Sequence, residues 1–417
     1  MKNIATKIQS VEDARYFAEK RVPKSIFQMF EAGSGSNVTA EDNVKAFESV
    51  RFRPRNAVFH KDHDISTTVL GHKLSMPAIV SSVGFLATGH MDGEAGVARA
   101  AGAAGTMQFV SGVTGTPIEE IMEAATGPVL YQLYYVGGRD ASAPIIQRVK
   151  EAGVDGLVLT VDTPTIARPR DLLYPERRAV PTSVNFKNAI KFLPQIWNKP
   201  AWVWDFIKAG FPEPVVAMAL REDGSPMSLF EGIAEIYKET PKWEDLPWIR
   251  KHWDGPIVIK GILTVEDAKR AVKEGVDAIV ISNHGGNVLD GSVSTLPVLT
   301  EIVEAVGNDI EVLIDSGVRR GTDVLKAVAL GAKAALLGRA YLYPLLAAGE
   351  QGVRHILDLF KLQIKEGLEF LGVQTLDELD PSFVQLPADW RQPQVSAMHT
   401  SEEVAAKANG ELIAREN

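Results

Sequence analysis

The residues with most chemistry to offer stand at the ends of short apolar runs. Ala278–Ile281 stops at Ser282-Asn283-His284 and breaks on Gly285-Gly286. Pro256–Lys260 ends in lysine, Glu311–Asp315 in aspartate and Ala334–Arg339 in arginine. A buried parallel strand delivers polar groups to the mouth of a barrel in this way. Lys260, His284, Asp315 and Arg339 are therefore expected on one rim.

His284 can take a proton near neutral pH. Asp162 closes another apolar run, Gly156–Asp162. A carboxylate beside an imidazole orients the ring and stabilises its protonated form, which suits a base that removes a proton and holds it. A satisfied structural histidine is the bland alternative. Lys260 could form a Schiff base, bind a phosphate or stabilise negative charge on a cofactor; its bland alternative is a salt bridge to a neighbouring strand end. Asp315-Ser-Gly-Val-Arg-Arg320 and Gly338-Arg339 close two successive runs. Loops after strands seven and eight of a TIM barrel often hold a phosphate through glycine N–H groups and a helix N-terminus. Arg319 and Arg339 would add charge there, and Asp315 would suit a sugar or ribityl hydroxyl. Phosphate alone does not identify a flavin.

Eight strands are needed to position these groups, and eight can be read: Ala78–Ser82, Thr106–Ser111, Val129–Tyr134, Gly156–Asp162, Ile257–Lys260, Ala278–Ser282, Val312–Asp315 and Ala335–Gly338. Most precede a helical pattern. Thr264–Asp267 opens one helix as a capping box and Gly275 closes it; Arg320–Leu330 is another, closed by Gly331. The expected fold is an α/β TIM (β/α)8 barrel, with a doubly wound open sheet as the rival. No Gly-x-Gly-x-x-Gly follows the first strand, against a dinucleotide-binding sheet. Residues 1–60 read as a helical cap over one end: Val11–Lys20, Lys24–Glu31, and Thr39–Val50 with Asp42 as a capping partner of Thr39. The barrel should span 61–379, with a long amphipathic helix at Gly352–Leu371, and a polar tail should fill 380–417.

The rhythm breaks between Asp162 and Pro256. An insertion of about 165–255 holds Trp197, Trp202, Trp204, Trp243, Trp248 and Trp253, six of the seven tryptophans. Three readings stand: an excursion with its own small core, including a helix at Leu229–Lys238; a lid over the barrel mouth; and a membrane-surface or partner patch.

Composition narrows the function. The chain has 417 residues, net charge −9 and no cysteine. A metal site built on cysteine, a disulfide and thiol catalysis are excluded. Without a dense basic cluster, nucleic acid is an unexpected partner. No metal site is expected. No signal core or bilayer-length apolar stretch is evident, so the expected location is cytoplasmic, without membrane.

Together these residues resemble the FMN-dependent α-hydroxy acid oxidase and dehydrogenase family, which includes glycolate oxidase, lactate oxidase and mandelate dehydrogenase. The likeness runs from about Val22 to about Leu379. Its markers are Phe52-Arg-Pro-Arg55, Thr67-Thr-Val-Leu-Gly71, Gln132-Leu-Tyr134, Leu159-Thr-Val-Asp-Thr-Pro164, Lys260-Gly261, Ser282-Asn-His-Gly-Gly286, Leu289-Asp-Gly291, Asp315–Arg320 and Gly338-Arg339. The resemblance implies FMN as cofactor and a homotetramer. It implies that Lys260 sits by the flavin N1/O2 edge and favours the anionic reduced ring, and that Ser282 is a further cofactor-binding residue. It implies that Ser111, Gln132 and Thr160 hydrogen-bond the isoalloxazine, and that Ser82-Val83-Gly84 lies against its N5 side, Gly84 leaving more room than alanine. Asp315, Gly317, Arg319, Gly338 and Arg339 would hold the ribityl phosphate. His284, paired with Asp162, would be the base and Tyr134 an active-site hydroxyl. Two electrons would pass to flavin N5, as hydride or through a carbanion, and then to dioxygen or another acceptor.

Two departures bear on the substrate. Family members for small hydroxy acids clamp the carboxylate with an arginine three residues after the base, where this chain has Asn287. They also use a tyrosine from the N-terminal helices, where Met29 stands. Another family arginine follows the fourth strand, where Thr163–Arg170 offers Arg168 or Arg170. Neutral asparagine cannot replace an arginine–carboxylate fork. His284-Gly-Gly-Asn287, Trp243-Glu-Asp245 and the tryptophan-bearing insertion are similar to the branch that acts in mycofactocin maturation. That branch oxidises a peptide-derived, amine-bearing carbon next to an amide carbonyl, so a peptide-derived substrate is an alternative to a small molecule. A non-redox phosphate-binding barrel and a flavin- or partner-binding module are the other rivals.

Overall fold

The computed structural model describes residues 4–135, 138–164, 193–209, 215–220, 225–228 and 239–390. The helix expected at Leu229–Lys238, Arg168, Arg170 and the tail beyond 390 lie outside the described residues. The eight strands close into one parallel barrel. They are β1 (Ala78–Val80), β2 (Gln108–Ser111), β3 (Val129–Leu133), β4 (Gly156–Thr160), β5 (Ile257–Ile262), β6 (Ala278–Ile281), β7 (Glu311–Ile314) and β8 (Ala334–Leu337). β8 returns to β1 with Ala335 opposite Ala78. The chain is therefore an α/β TIM barrel, not an open sheet. Most strands end a residue or two before the polar tips, because those residues turn into the loops that form the mouth.

The floor is closed by an antiparallel hairpin, Thr67–Val69 with His72–Leu74. Its Val69 and Leu74 are buried in the same apolar cluster as the barrel interior. The N-terminal helices α1 (Val11–Arg21), α2 (Lys24–Glu31) and α3 (Val38–Ser49) instead serve the side wall and the mouth. Ser10 caps α1 by accepting from Asp13 N at 3.0 Å. The capping pair expected for α3 does not form, since Thr39 lies one residue inside the helix. Asp290, from the loop after β6, accepts from Ser36 N and Thr39 N at 2.6 and 3.0 Å, so the barrel caps α3. At the other end of the chain Val384–Gln385 pairs antiparallel with Arg51–Phe52, so ordered structure continues past 379.

The insertion's helix α4 (Pro200–Ala209) docks on this scaffold. Trp202 is buried in the main cluster and donates to Thr88 O at 3.2 Å. Arg21 ion-pairs with Asp205. Lys199 donates to the carbonyls of Glu19 and Lys20, which end α1. Trp253 is buried in the same main cluster. Among the described residues of the insertion, Trp202 and Trp253 thus pack into the core that surrounds the barrel. Leu193, Trp197, Trp204 and Ile207 are exposed.

Beneath this contact lies His90. The last helix, α5 (Arg339–Leu371), kinks at Gly349 (φ 64°), where a Cβ would sit 2.4 Å from His90 Cε1. Burial first, then the Arg21 cation, against the pull of Asp92 and Asp205, lowers the His90 pKa to about 4. Its Nδ1 accepts from Asp92 N at 3.2 Å, as a neutral ring can. Unfolding restores an ordinary value of 6.5, so the unfolded chain binds a proton the folded chain refuses. Stability is full above pH 6.5 and falls toward pH 4, by up to about 3 kcal/mol. Thermal melts over that window should show the fall, and His90→Gln should flatten it; an equal slope in the variant would dismiss His90 as its source.

Candidate active site

Period-two alternation explains the chemistry of the mouth. Phe109, Leu130, Val158, Val258, Val280 and Leu313 face inward and fill the barrel. Two residues further along each strand, on the same face, stand Ser111, Gln132, Thr160, Lys260, Ser282 and Asp315. A polar layer thus rests on an apolar plug. Above it opens a cavity of about 300 Å³, within the range of small-molecule sites. Ser82, Val83, Gly84, Ser111, Gln132, Tyr134 and Lys260 line one side. Asp315, Gly317, Arg319, Gly338 and Arg339 line another, with His284, Asn287 and Met29 toward the N-terminal helices. Thr160 and Ser282 stand behind the wall rather than in it: Gln132 Nε2 donates to Thr160 at 2.6 Å and Lys260 Nζ to Ser282 at 2.8 Å.

His284 Nδ1 lies 3.1 Å from Asp162 Oδ1. Burial raises the Asp162 pKa, but the His284 charge and hydrogen bond, with Lys260, outweigh it and hold the carboxyl below its ordinary value. An ionised carboxylate only accepts, so Nδ1 carries the proton and Nε2 keeps the lone pair. That is the tautomer a base requires. Gly261 explains how Asp162 reaches the ring. It interrupts β5 with φ 115°, and a Cβ there would sit 2.6 Å from Asp162 Cβ.

Lys260 makes the salt bridge that its sequence offered as the bland alternative without leaving the cavity wall. Its Nζ is 2.8 Å from Asp315 Oδ2. Burial lowers its pKa, but Asp315 and Asp162 outweigh that and raise it, so the ammonium persists at neutral pH. Ser316, left-handed at φ 69°, donates to Asp315 Oδ1 at 2.6 Å and accepts from Gly285 N at 3.0 Å. It thereby ties the lysine's partner to the histidine's loop.

The phosphate end has the expected cations in an unforeseen arrangement. Arg339 donates to the carbonyls of Phe30, Ala32 and Gly285. Arg319 is held below its ordinary pKa by burial, with Tyr343 opposing and Arg339 reinforcing the shift. Neither has a salt-bridge partner among the described residues. α5 begins beside them with no side-chain cap, and a Cβ at Gly338 would meet nothing within 4 Å. Two half-buried arginines, an uncapped helix start and open space fit a phosphate. Along the opposite wall Ser82 Oγ is buried with no partner, which fits a ligand with polar edges. The residues therefore fit FMN.

Gly84 needs a different explanation from the one expected. A Cβ there would lie 2.7 Å from Val113 O and 3.4 Å from Ser111 Oγ. The glycine is required by the close approach of the first two loops, whatever room it leaves beside a flavin. Asn287 Nδ2 donates to His284 O at 2.9 Å, leaving one N–H and the side-chain carbonyl. Phe30, Phe85 and Ser316 also line the cavity. Phe85 and Ser316 take left-handed backbones that no residue pattern signals, and Phe30 follows Met29 on α2.

Comparisons agree with this geometry. A family model for FMN-dependent dehydrogenase matches residues 18–386. Pre-mycofactocin synthase of Mycolicibacterium smegmatis is 40% identical over 91% of this chain and 94% of that protein. A peroxisomal (S)-2-hydroxyacid oxidase of Arabidopsis thaliana is 35% identical over 91% of this chain and 96% of that protein. A crystal structure of the monotopic membrane protein (S)-mandelate dehydrogenase superposes with TM-score 0.83 at 34% identity, covering 91% of this chain and all of that one. The chain belongs to the FMN-dependent dehydrogenase family and is an FMN-dependent oxidoreductase that oxidises a carbon bearing OH or NH₂ next to a carbonyl.

Proposed function

We propose that the substrate presents a neutral carbonyl, as in a peptide-derived amide, rather than the free carboxylate of a small hydroxy acid. The observation that carries this reading is Asn287. It sits on the cavity wall three residues after His284, with one N–H and one carbonyl left to pair with an amide. The described cations of the cavity are otherwise engaged. Lys260 is bound to Asp315, and Arg319 and Arg339 stand at the phosphate end. Met29 adds an apolar contact where a hydroxyl would assist a carboxylate.

FMN, when bound, supplies a two-electron acceptor. The protein's part is to orient and to move protons. His284 takes the proton through Nε2 while Asp162 stabilises the imidazolium. Tyr134 offers a hydroxyl to the substrate's oxygen or nitrogen. Ser111, Gln132 and Ser82 would hold the polar edges of the cofactor, while Thr160 orients Gln132 and Ser282 orients Lys260. Arg319, Arg339, Gly317 and Gly338 take the phosphate.

Anaerobic bleaching of the flavin tests the substrate. Amides of hydroxy or amino acids, and small peptides, should bleach it at least tenfold faster than lactate or glycolate at equal concentration. The reverse order would sink the proposal. Asn287→Arg should invert the preference, because a guanidinium supplies the bidentate fork a carboxylate prefers.

The homotetramer implied by family likeness and the cytoplasmic location expected from the sequence belong to the same proposal. The exposed Trp197, Trp204 and Ile207 of the insertion, beside a relative described as monotopic, favour peripheral membrane contact as the competing location.

A further inference from the structure

His284 has φ +58°, a left-handed backbone that is unfavourable for a side chain with a Cβ. Something must hold it there. Asn283, the residue before it, is fully buried, and its amide is saturated. Its Nδ2 donates to Asn43 Oδ1 at 2.8 Å and to Val293 O at 3.0 Å. Its Oδ1 accepts from Asn43 Nδ2 at 2.8 Å and from Gly286 N at 3.2 Å. Two N–H groups and two lone pairs are all an asparagine has.

Asn43 comes from α3, outside the barrel and 240 residues away in the chain. Its side chain is 1% exposed. The turn before α3 and the start of the helix grip the same loop. Ser34 N and Oγ donate to Gly286 O at 2.8 and 3.1 Å. Gly291 N donates to Thr39 Oγ1 at 2.8 Å. A Cβ on Gly286 would lie 2.6 Å from Ala40 N, so helix and loop touch backbone to backbone. The reciprocal Asn43–Asn283 pair is the part of this contact that adjoins the histidine directly.

We infer that Asn43 is a positioning residue: through Asn283 it holds the His284 backbone in its left-handed conformation and thereby keeps the imidazole on Asp162 and facing the cavity. A bare packing contact would stabilise the cap without steering the ring. A paired amide fixes both the position and the rotation of its partner, and here the partner is one peptide bond from the strained residue. The inference rests on His284 being the base, and the two can fail separately.

The test uses the full-length, flavin-loaded protein and single-turnover bleaching with the best substrate of the screen, scaled to bound flavin. Asn43→Ala should slow bleaching at least 30-fold while flavin content and the substrate concentration giving half-maximal rate stay within threefold. Asn43→Asp, which can accept from Asn283 Nδ2 but cannot donate to Oδ1 when ionised, should do the same. A crystal structure of either variant should show His284 Nδ1 moved off its 3.1 Å contact with Asp162. Adding Asn43→Ala to a His284→Ala background should cost less than threefold. A bleaching rate per bound flavin within threefold of the parent, whatever the loss in flavin content or melting temperature, overturns the inference. Should Asn43→Ala not fold, Asn43→Ser is read by the same criteria. Failure of the base assignment has a different signature, namely unaltered bleaching in His284→Ala alone.

Discussion

His284→Ala should yield a protein that is still yellow yet bleaches about 10³-fold more slowly with substrate, in the range expected when a positioned general base is removed. The separation of colour from rate follows from where the ring sits. His284 lines the cavity beside Asn287 with its ring on Asp162, while Arg339 meets that loop only through the Gly285 carbonyl. Loss of the ring leaves the phosphate end, the lysine and the Gln132–Thr160 pair in place. Asp162 would lose its only hydrogen-bond partner among the described side chains, since Oδ2 is already buried without one. Its carboxyl should then rise toward protonation as burial takes over. His284→Gln retains an N–H for Asp162 but has no titratable nitrogen, so it should preserve stability better and be as slow. Stopped-flow absorbance of the anaerobic flavin band measures both. A His284→Ala protein bleaching within tenfold of the parent would show that another group takes the proton, whereas a colourless one would make the histidine a structural support for the cofactor.

The sequence revealed the barrel because its strands are buried on both faces and read as continuous apolar runs. Each run stops where a polar tip leaves the core, and that junction marks Lys260, His284 and Asp315 without any structure. The pairing of Asp162 with His284 was legible for the same reason: two strand tips of one closed sheet must face one mouth. What was hidden depends on backbone conformation and on long-range contact. Nothing in the composition of Phe85, His284 or Ser316 announces a left-handed residue, since glycine is the usual signal and none is glycine. Asn43 could not be matched with Asn283 from the sequence, because a helix-borne asparagine is usually exposed and its partner lies on a distant loop. Asp290 capping α3 was missed for a related reason. Local capping rules look a few residues ahead, and here the acceptor comes from the barrel. The tryptophans were undecided for a simpler reason. Six in one insertion left a core of its own, a lid and a partner patch all open, and Trp202 and Trp253 are buried against the barrel and its cap. Composition reports how much apolar surface a segment must bury, not whose surface it buries it against.

Lys260→Met should produce the second large effect, and in two separable parts. Lys260 and Asp315 form a buried ion pair at 2.8 Å, with Ser282 taking another of the ammonium's hydrogens. Removing one member of such a pair costs about 3–5 kcal/mol because the other charge is left in a poor solvent. Ser316 still donates to Asp315 Oδ1, so the lower end applies. A double variant, Lys260→Met with Asp315→Asn, removes both charges and should recover most of that stability. The functional part should not recover. A fixed ammonium facing the cofactor favours the state in which negative charge has accumulated there, and a preorganised charge of this kind contributes about 10²–10³ in rate. Both the single and the double variant should therefore show a more negative flavin reduction potential and bleaching slowed about a hundredfold. Melting temperature would thus separate the two variants while the potential would not. Were the double variant to regain the parent's potential along with its stability, the lysine would be a structural partner of Asp315 and nothing more, and the electrostatic support of the flavin would have to come from elsewhere in the mouth.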